Sequence, residues 1–96
     1  MAAYVYILAS RPGGTLHVGA CTNLISRAYQ HRVGTVEGFT KKYKVDRLVY
    51  YEVLDQLEAA FLRERQLKKW NRSWKIELIE RENPSWIDLY PEIAKQ

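Results

Sequence analysis

Glu64 stands where a carboxylate is costly. At about 100° per residue along a helix, Leu57, Ala60, Phe61, Leu67 and Lys68 define one side, and Glu64 falls near the middle of that stripe. An ionised carboxylate buried without a partner is strongly disfavoured, so Glu64 calls for an arginine, hydrogen bonds or a metal ion. Arg27 and His31 are four residues apart, which places them one above the other on a polar helix face beside an apolar one. A guanidinium and an imidazole so placed can act on one ligand, or simply face water. His17 belongs to a strand opposite one that carries Tyr6, and parity allows both on the same sheet face without fixing the register. Cys21, beside a helix start, lacks a partnering base and reads as a buried thiol.

These residues need elements to hold them. Tyr4–Ala9 is dense in aromatic and β-branched residues, Ser10-Arg11-Pro12-Gly13-Gly14 interrupts, and Thr15–Gly19 resumes with alternation, which predicts a β-hairpin. Thr22 or Asn23 can cap a helix over residues 23–33 whose apolar side is Leu24, Ile25, Ala28, Tyr29 and Val33, with Gly34 as its left-handed stop. Phe39-Thr40-Lys41-Lys42-Tyr43 is a helical turn at most. Arg47–Leu54 is a third strand, and Asp55 with Glu58 resembles a capping box opening a helix to about Trp70. Ser73 restarts a helix that runs to Glu82, where Asn83-Pro84 ends it. Tyr50 and Tyr51 point to opposite sides of their strand. Of Trp70, Trp74 and Trp86, at least two are expected in the core. The order predicts an α+β fold: a small, mixed, largely antiparallel three-stranded sheet flanked by helices.

The 96 residues form one domain, 1–96, with 47% hydrophobic content to fill its core. No apolar run is long enough to span a bilayer, and the first residues do not resemble a signal peptide, so a cytoplasmic protein without membrane contact is expected. One cysteine and two histidines exclude an internal disulfide and a zinc cluster. Charge is uneven along the chain. Residues 1–45 carry six Lys/Arg against Glu37 alone, and Arg63, Arg65, Lys68, Lys69, Arg72 and Lys75 form a second basic zone facing only Glu64. Basic zones interleaved with Tyr and Trp suit a polyanion, with Lys41, Lys42, Arg63, Lys68 and Lys69 as candidate phosphate contacts. The tail from Glu77 to Glu92 is acidic and reads as a solvated face. Nothing in the chain calls for an obligate protein partner.

Tyr4-Val5-Tyr6, then His17-Val18-Gly19, Thr22-Asn23-Leu24 leading to Arg27, and Ala60-Phe61-Leu62-Arg63-Glu64 together resemble the GIY-YIG nuclease domain. The likeness is nearest to its small stand-alone bacterial branch, and includes the Phe39–Tyr43 segment, the Arg47–Glu52 strand, the Arg63–Trp70 helix end and a terminal Asn83-Pro84-Ser85-Trp86. What the resemblance implies is metal-dependent hydrolysis of DNA phosphodiester bonds, in repair or DNA processing. Glu64 matches the metal-ligating carboxylate, which implies Mg²⁺ or Mn²⁺. Arg27 matches the arginine that holds the scissile phosphate, His31 a position near it, Tyr6 the tyrosine closing the first motif, and Asn83 a late asparagine. Two positions depart from the pattern: Tyr4 replaces the first glycine, and His17 replaces the second motif's tyrosine. The base that activates water is therefore His17 or Tyr6. The absence of room for a separate DNA-reading module favours single-stranded or branched DNA and leaves RNA open. The alternative is a nucleic-acid-binding module that keeps the scaffold with weakened turnover.

Overall fold

In the computed structural model, which describes residues 2–95, a three-stranded sheet divides two sets of helices. Its strands are β1 (Ala3–Ala9), β2 (Leu16–Cys21) and β3 (Arg47–Leu54), in the order β2-β1-β3. Both neighbours run antiparallel to β1, so the sheet is wholly antiparallel. The apolar, β-branched β1 earns the centre by being buried on both faces. The turn between β1 and β2 is closed by Ser10 and Thr15, with Gly13 at φ +70°, and the Arg72 guanidinium donates to the carbonyls of Gly13 and Gly14, each at 2.6 Å.

Helix α1 (Leu24–Arg32) and the short α2 (Phe39–Lys42) lie on one face; α3 (Leu57–Lys69) and α4 (Arg72–Glu82) cover the other. Val5, Ile7 and Val18 meet Ala60, Leu67, Leu78 and Ile79 in the larger core. Tyr6, Leu8 and Leu48 meet Leu24, Val45 and Ile93 in the smaller. The register slips between Ile7, opposite Tyr50, and Leu8, opposite Leu48, so Val49 is a bulge residue. That slip lets Val49 and Tyr50 both join the larger core while Tyr51 packs against the smaller.

A fifth helix that the sequence reading did not predict, α5 (Tyr90–Ala94), returns the chain to α1. The segment before it covers the outer edge of β3: Leu89 N donates to the Leu48 carbonyl at 2.7 Å and Leu48 N to the Asp88 carboxylate at 3.2 Å. Arg32 pairs with Asp88 at 2.7 Å and lies over the Tyr90 ring, which fixes α5 against α1. Covering an edge strand removes a template for unwanted pairing.

Capping differs from expectation at two starts. Asn23 caps α1 through Ser26 N, as the sequence allowed, but α4 is capped by Asn71 through Trp74 N, two residues before Ser73. Helix α3 begins after Gln56 with no side-chain cap, so the Asp55 to Glu58 box is not formed. Of the tryptophans, Trp86 is buried, Trp70 packs against the core and Trp74 is exposed.

Candidate active site

The hairpin register places the two strand residues together. Tyr6 pairs with Gly19 and Leu8 with His17, so Tyr6 and His17 are diagonal neighbours on the sheet face that carries α1. Their ring centroids are 6.3 Å apart. A Cβ on Gly19 would collide with the Tyr6 ring and hydroxyl, so the glycine is what admits the tyrosine.

His31 completes a cluster of three rings, 5.6 Å from His17 and 6.0 Å from Tyr6. It is 6% exposed, buried rather than on the polar face expected for it. The reason lies in the helix phase: at about 100° per residue, His31 falls about 20° from Leu24, whereas Ile25, Tyr29 and Val33 lie about 100–180° away and are exposed. Nε2 of His31 meets the Tyr6 hydroxyl at 3.3 Å, and Nδ1 meets Thr40 Oγ1 at 3.0 Å. Thr40, itself buried, was not singled out by the sequence; its place on α2 makes it the far end of a Tyr6–His31–Thr40 chain.

Three charged side chains act on this cluster. Helix phase puts Arg27 about 60° from Leu24, exposed at the rim of the buried stripe. The centre of the buried stripe on α3 is Ala60 and Leu67, so Glu64 lies on its flank rather than at its middle, and Phe61 is exposed. The Glu64 side chain is 22% exposed and pairs with Lys68 at 3.1 Å. Between α1 and α3, over Ala20 and Cys21, runs a groove of about 260 Å³ lined by Arg27 and Gln30 on one side and Leu57 and Phe61 on the other.

The electrostatics tie the groups together. Burial pushes the Tyr6 phenol up to about 12, with Cys21 and Glu64 adding to it and Arg27 opposing. Burial also lowers His17, helped by Lys68 and Arg27 and opposed by Glu64. His31 falls to about 4 through burial, then through His17 and Arg27. At neutral pH all three rings are uncharged, and His17, which makes no hydrogen bond to another described side chain, is the free imidazole of the set. Burial raises the Cys21 thiol, as befits a packing residue.

A hard divalent cation fits the donor set only in one way. Among the described residues no three His, Cys, Asp or Glu side chains converge as a cage. A single half-buried carboxylate completed by water and phosphate oxygens is a coordination Mg²⁺ or Mn²⁺ accepts. The ammonium now on Glu64 belongs to Lys68, which is 55% exposed and free to swing away.

Two residues expected at a nucleic-acid interface are committed elsewhere. Asn83 is buried; its Nδ2 donates to the carbonyls of Val49 and Ile87, and its Oδ1 accepts from Ile87 N. Its amide is filled by backbone partners and has nothing left for a phosphate. Arg63 grips Glu52 through Nε and NH2, bonds Gln66 through NH1 and lies over Trp70. Burial raises the Glu52 carboxyl, but hydrogen bonds from Arg63 and Tyr50 outweigh it and hold the pKa below the ordinary value. Lys41, Lys42, Lys68 and Lys69 are exposed, Lys41 beside Glu37.

Comparison with known proteins matches the same framework. The chain is 37% identical over 82 residues to a UPF0213 protein of Syntrophus aciditrophicus, covering 84% of this chain and 92% of the relative. A UPF0213 protein of Pediococcus pentosaceus is 33% identical over 86 residues, 90% of each. The solution NMR structure of the UPF0213 protein BH0048 from Bacillus halodurans superposes with a TM-score of 0.53 at 28% identity, covering 86% of this chain and 87% of that one. Residues 2–77, which hold Tyr6, His17, Arg27, His31 and Glu64, match the model of the GIY-YIG catalytic domain, and with that match across most of its length the chain belongs to the GIY-YIG family.

Proposed function

We propose that this protein is a divalent-metal-dependent endonuclease that hydrolyses phosphodiester bonds in single-stranded or branched DNA, as a cytoplasmic enzyme of DNA repair or processing. The observation that carries this reading is that Arg27 on α1 and Glu64 on α3 both bear, with opposite effect, on the same two strand residues, Tyr6 and His17, whose rings stand 6.3 Å apart. The family is nuclease-type, and a groove that presents the Arg27 guanidinium, in a site that also holds neutral imidazoles, suits attack of water on a phosphodiester.

The chain's own residues divide the work. The exposed Arg27 guanidinium holds the scissile phosphate through two non-bridging oxygens and stabilises charge developing there. The neutral His17 imidazole accepts the proton of the attacking water as the P–O bond forms and the bond to the leaving oxygen breaks. Tyr6, with its pKa near 12 and its hydroxyl tied to His31, is a poor base and serves to orient that water. His31 holds the Tyr6 hydroxyl in place, and Thr40 holds His31. Lys68 leaves Glu64 for a substrate phosphate, freeing the carboxylate. Mg²⁺ or Mn²⁺ on Glu64 would neutralise charge at the phosphate and the leaving oxygen.

The test is cleavage of end-labelled single-stranded, duplex and flap DNA of one sequence, in Mg²⁺, in Mn²⁺ and in EDTA. Metal-dependent cutting of the single-stranded or flap form is expected. Salt-sensitive binding with no cutting in any condition would instead leave a nucleic-acid-binding module.

A further inference from the structure

Helix α2 and the residue that caps its end carry two large aromatic side chains that the core does not use. Phe39 is 49% exposed and Tyr43 is 50% exposed, and they stand one turn apart with ring centroids 4.9 Å from each other. The turn that displays them is firmly held from below. Thr40 points inward to His31, Val45 is fully buried, and Val45 N donates to the Thr40 carbonyl at 2.8 Å. Gly38 at φ +104° opens the turn and Lys44 at φ +54° closes it. The turn thus ends on a left-handed lysine, an uncommon conformation for a side chain without a short polar head, from which the chain passes into the core at Val45.

The surroundings say what such a surface meets. Lys41, Lys42 and Lys44 are all exposed on this turn, and Lys42 Nζ lies 5.4 Å over the Tyr43 ring. Glu37 is the single acid in the first 45 residues. Aromatic faces ringed by ammonium groups match a strand whose bases are unpaired and whose phosphates are near. A duplex offers no such match, because its base faces are stacked inside.

We propose that Phe39 and Tyr43 form a stacking platform for an unpaired nucleobase of the substrate, beside the scissile phosphate. The proposal rests on the nuclease reading for the identity of the strand, and it selects the substrate class: nucleic acid with a single-stranded segment at the site. Continuity with the site is direct, since one residue of the platform's own turn, Thr40, bonds the histidine that bonds Tyr6. Lys41 and Lys42 hold the adjoining phosphates. A base seated on Phe39 therefore fixes the strand relative to Tyr6 through two hydrogen bonds.

The experiment is fluorescence anisotropy in EDTA, where nothing is cut, with a labelled oligonucleotide of mixed sequence as single-stranded DNA, as duplex DNA and as single-stranded RNA. The proteins are wild type, Phe39→Leu, the Phe39→Leu/Tyr43→Leu pair and Phe39→Trp, each checked by thermal melting. Base stacking on an aromatic side chain predicts an affinity loss of about tenfold or more for the leucine pair on single-stranded DNA. RNA should lose as much, because a base face is shared, while duplex affinity and the salt slope stay as in wild type. Phe39→Trp should keep wild-type affinity. Equal losses on duplex and single strand, a loss confined to RNA, or leucine variants that bind like wild type would each overturn the platform. If the paired variant does not fold, Phe39→Leu alone decides by the same criteria, with a smaller loss. Wild-type protein that binds no nucleic acid overturns the platform together with the nuclease reading; wild-type binding untouched by leucine overturns the platform alone.

Discussion

Gly19 lies directly across the sheet from Tyr6, and the tyrosine's ring and hydroxyl fill the space that a side chain at Gly19 would take. The pairing couples stability to the site, since the same hydroxyl reaches His31. Gly19→Ala should cost about 1–3 kcal/mol through overpacking and displace the Tyr6 hydroxyl from His31. Urea unfolding measures the first effect and loss of DNA cleavage the second. An alanine that leaves both unchanged would contradict the close approach.

His31 makes the fold acid-sensitive. Its folded pKa, near 4, lies below its ordinary value of 6.5, so between those pH values the unfolded chain binds a proton that the folded chain does not. Stability from this source is complete above pH 6.5 and is lost as the pH falls toward 4, by an amount on the order of 3 kcal/mol. Urea midpoints at pH 7 and pH 4.5 should therefore differ more in wild type than in His31→Gln, which removes the titrating ring. An equal difference in the two proteins would show that His31 does not carry it.

The choice of base sets the pH profile. With the lowered His17 as proton acceptor, the cleavage rate should rise to a plateau with an inflection below pH 6.5. With Tyr6, held near 12, the rate would climb throughout the alkaline range. His17→Phe should abolish cleavage, and Tyr6→Phe should leave reduced but measurable activity. The reverse pattern would assign the base to Tyr6.

The strands, the family and the hairpin cluster were legible because they rest on local patterns. A dense run of aromatic and β-branched residues marks β1, alternation marks β2, and the two short motifs they carry sit at fixed spacing. The burial of His31 was hidden by composition: a helix phase that runs through Leu24, Ala28 and His31 competes with the more apolar Ile25, Tyr29 and Val33, and the apolar set is the one left in water. The same error moved Glu64 to the middle of its stripe, because Phe61 is large and apolar yet exposed. Hydrophobicity ranks residues, but it does not say which face the sheet will cover. Helix α5 escaped notice because five residues carry no period, and its place is fixed by tertiary partners such as Arg32 with Asp88. Thr40 gave no signal beyond its place in the Phe39–Tyr43 segment, since one buried hydroxyl looks like any other in sequence.

Asn83 separates what resemblance implies from what the fold does with the residue. Its amide ties the end of α4 to β3 and to Ile87. Asn83→Ala should cost about 2–3 kcal/mol, because it leaves buried backbone groups without partners. The folded fraction of that variant should bind DNA as wild type does. A selective loss of affinity at unchanged stability would return Asn83 to the nucleic-acid interface.

Glu64 is the carboxylate on which the account turns, half-buried on the flank of α3 with Lys68 as its present partner. The most direct measurement is the cleavage rate of one end-labelled flap DNA by wild type and by Glu64→Gln, in Mg²⁺ and in EDTA, with binding followed in parallel. The account predicts cutting by wild type in Mg²⁺ alone, a loss of at least about a hundredfold in Glu64→Gln, and DNA affinity in EDTA that the substitution does not lower. Cutting that persists in EDTA, or in the glutamine variant at the wild-type rate, would contradict it.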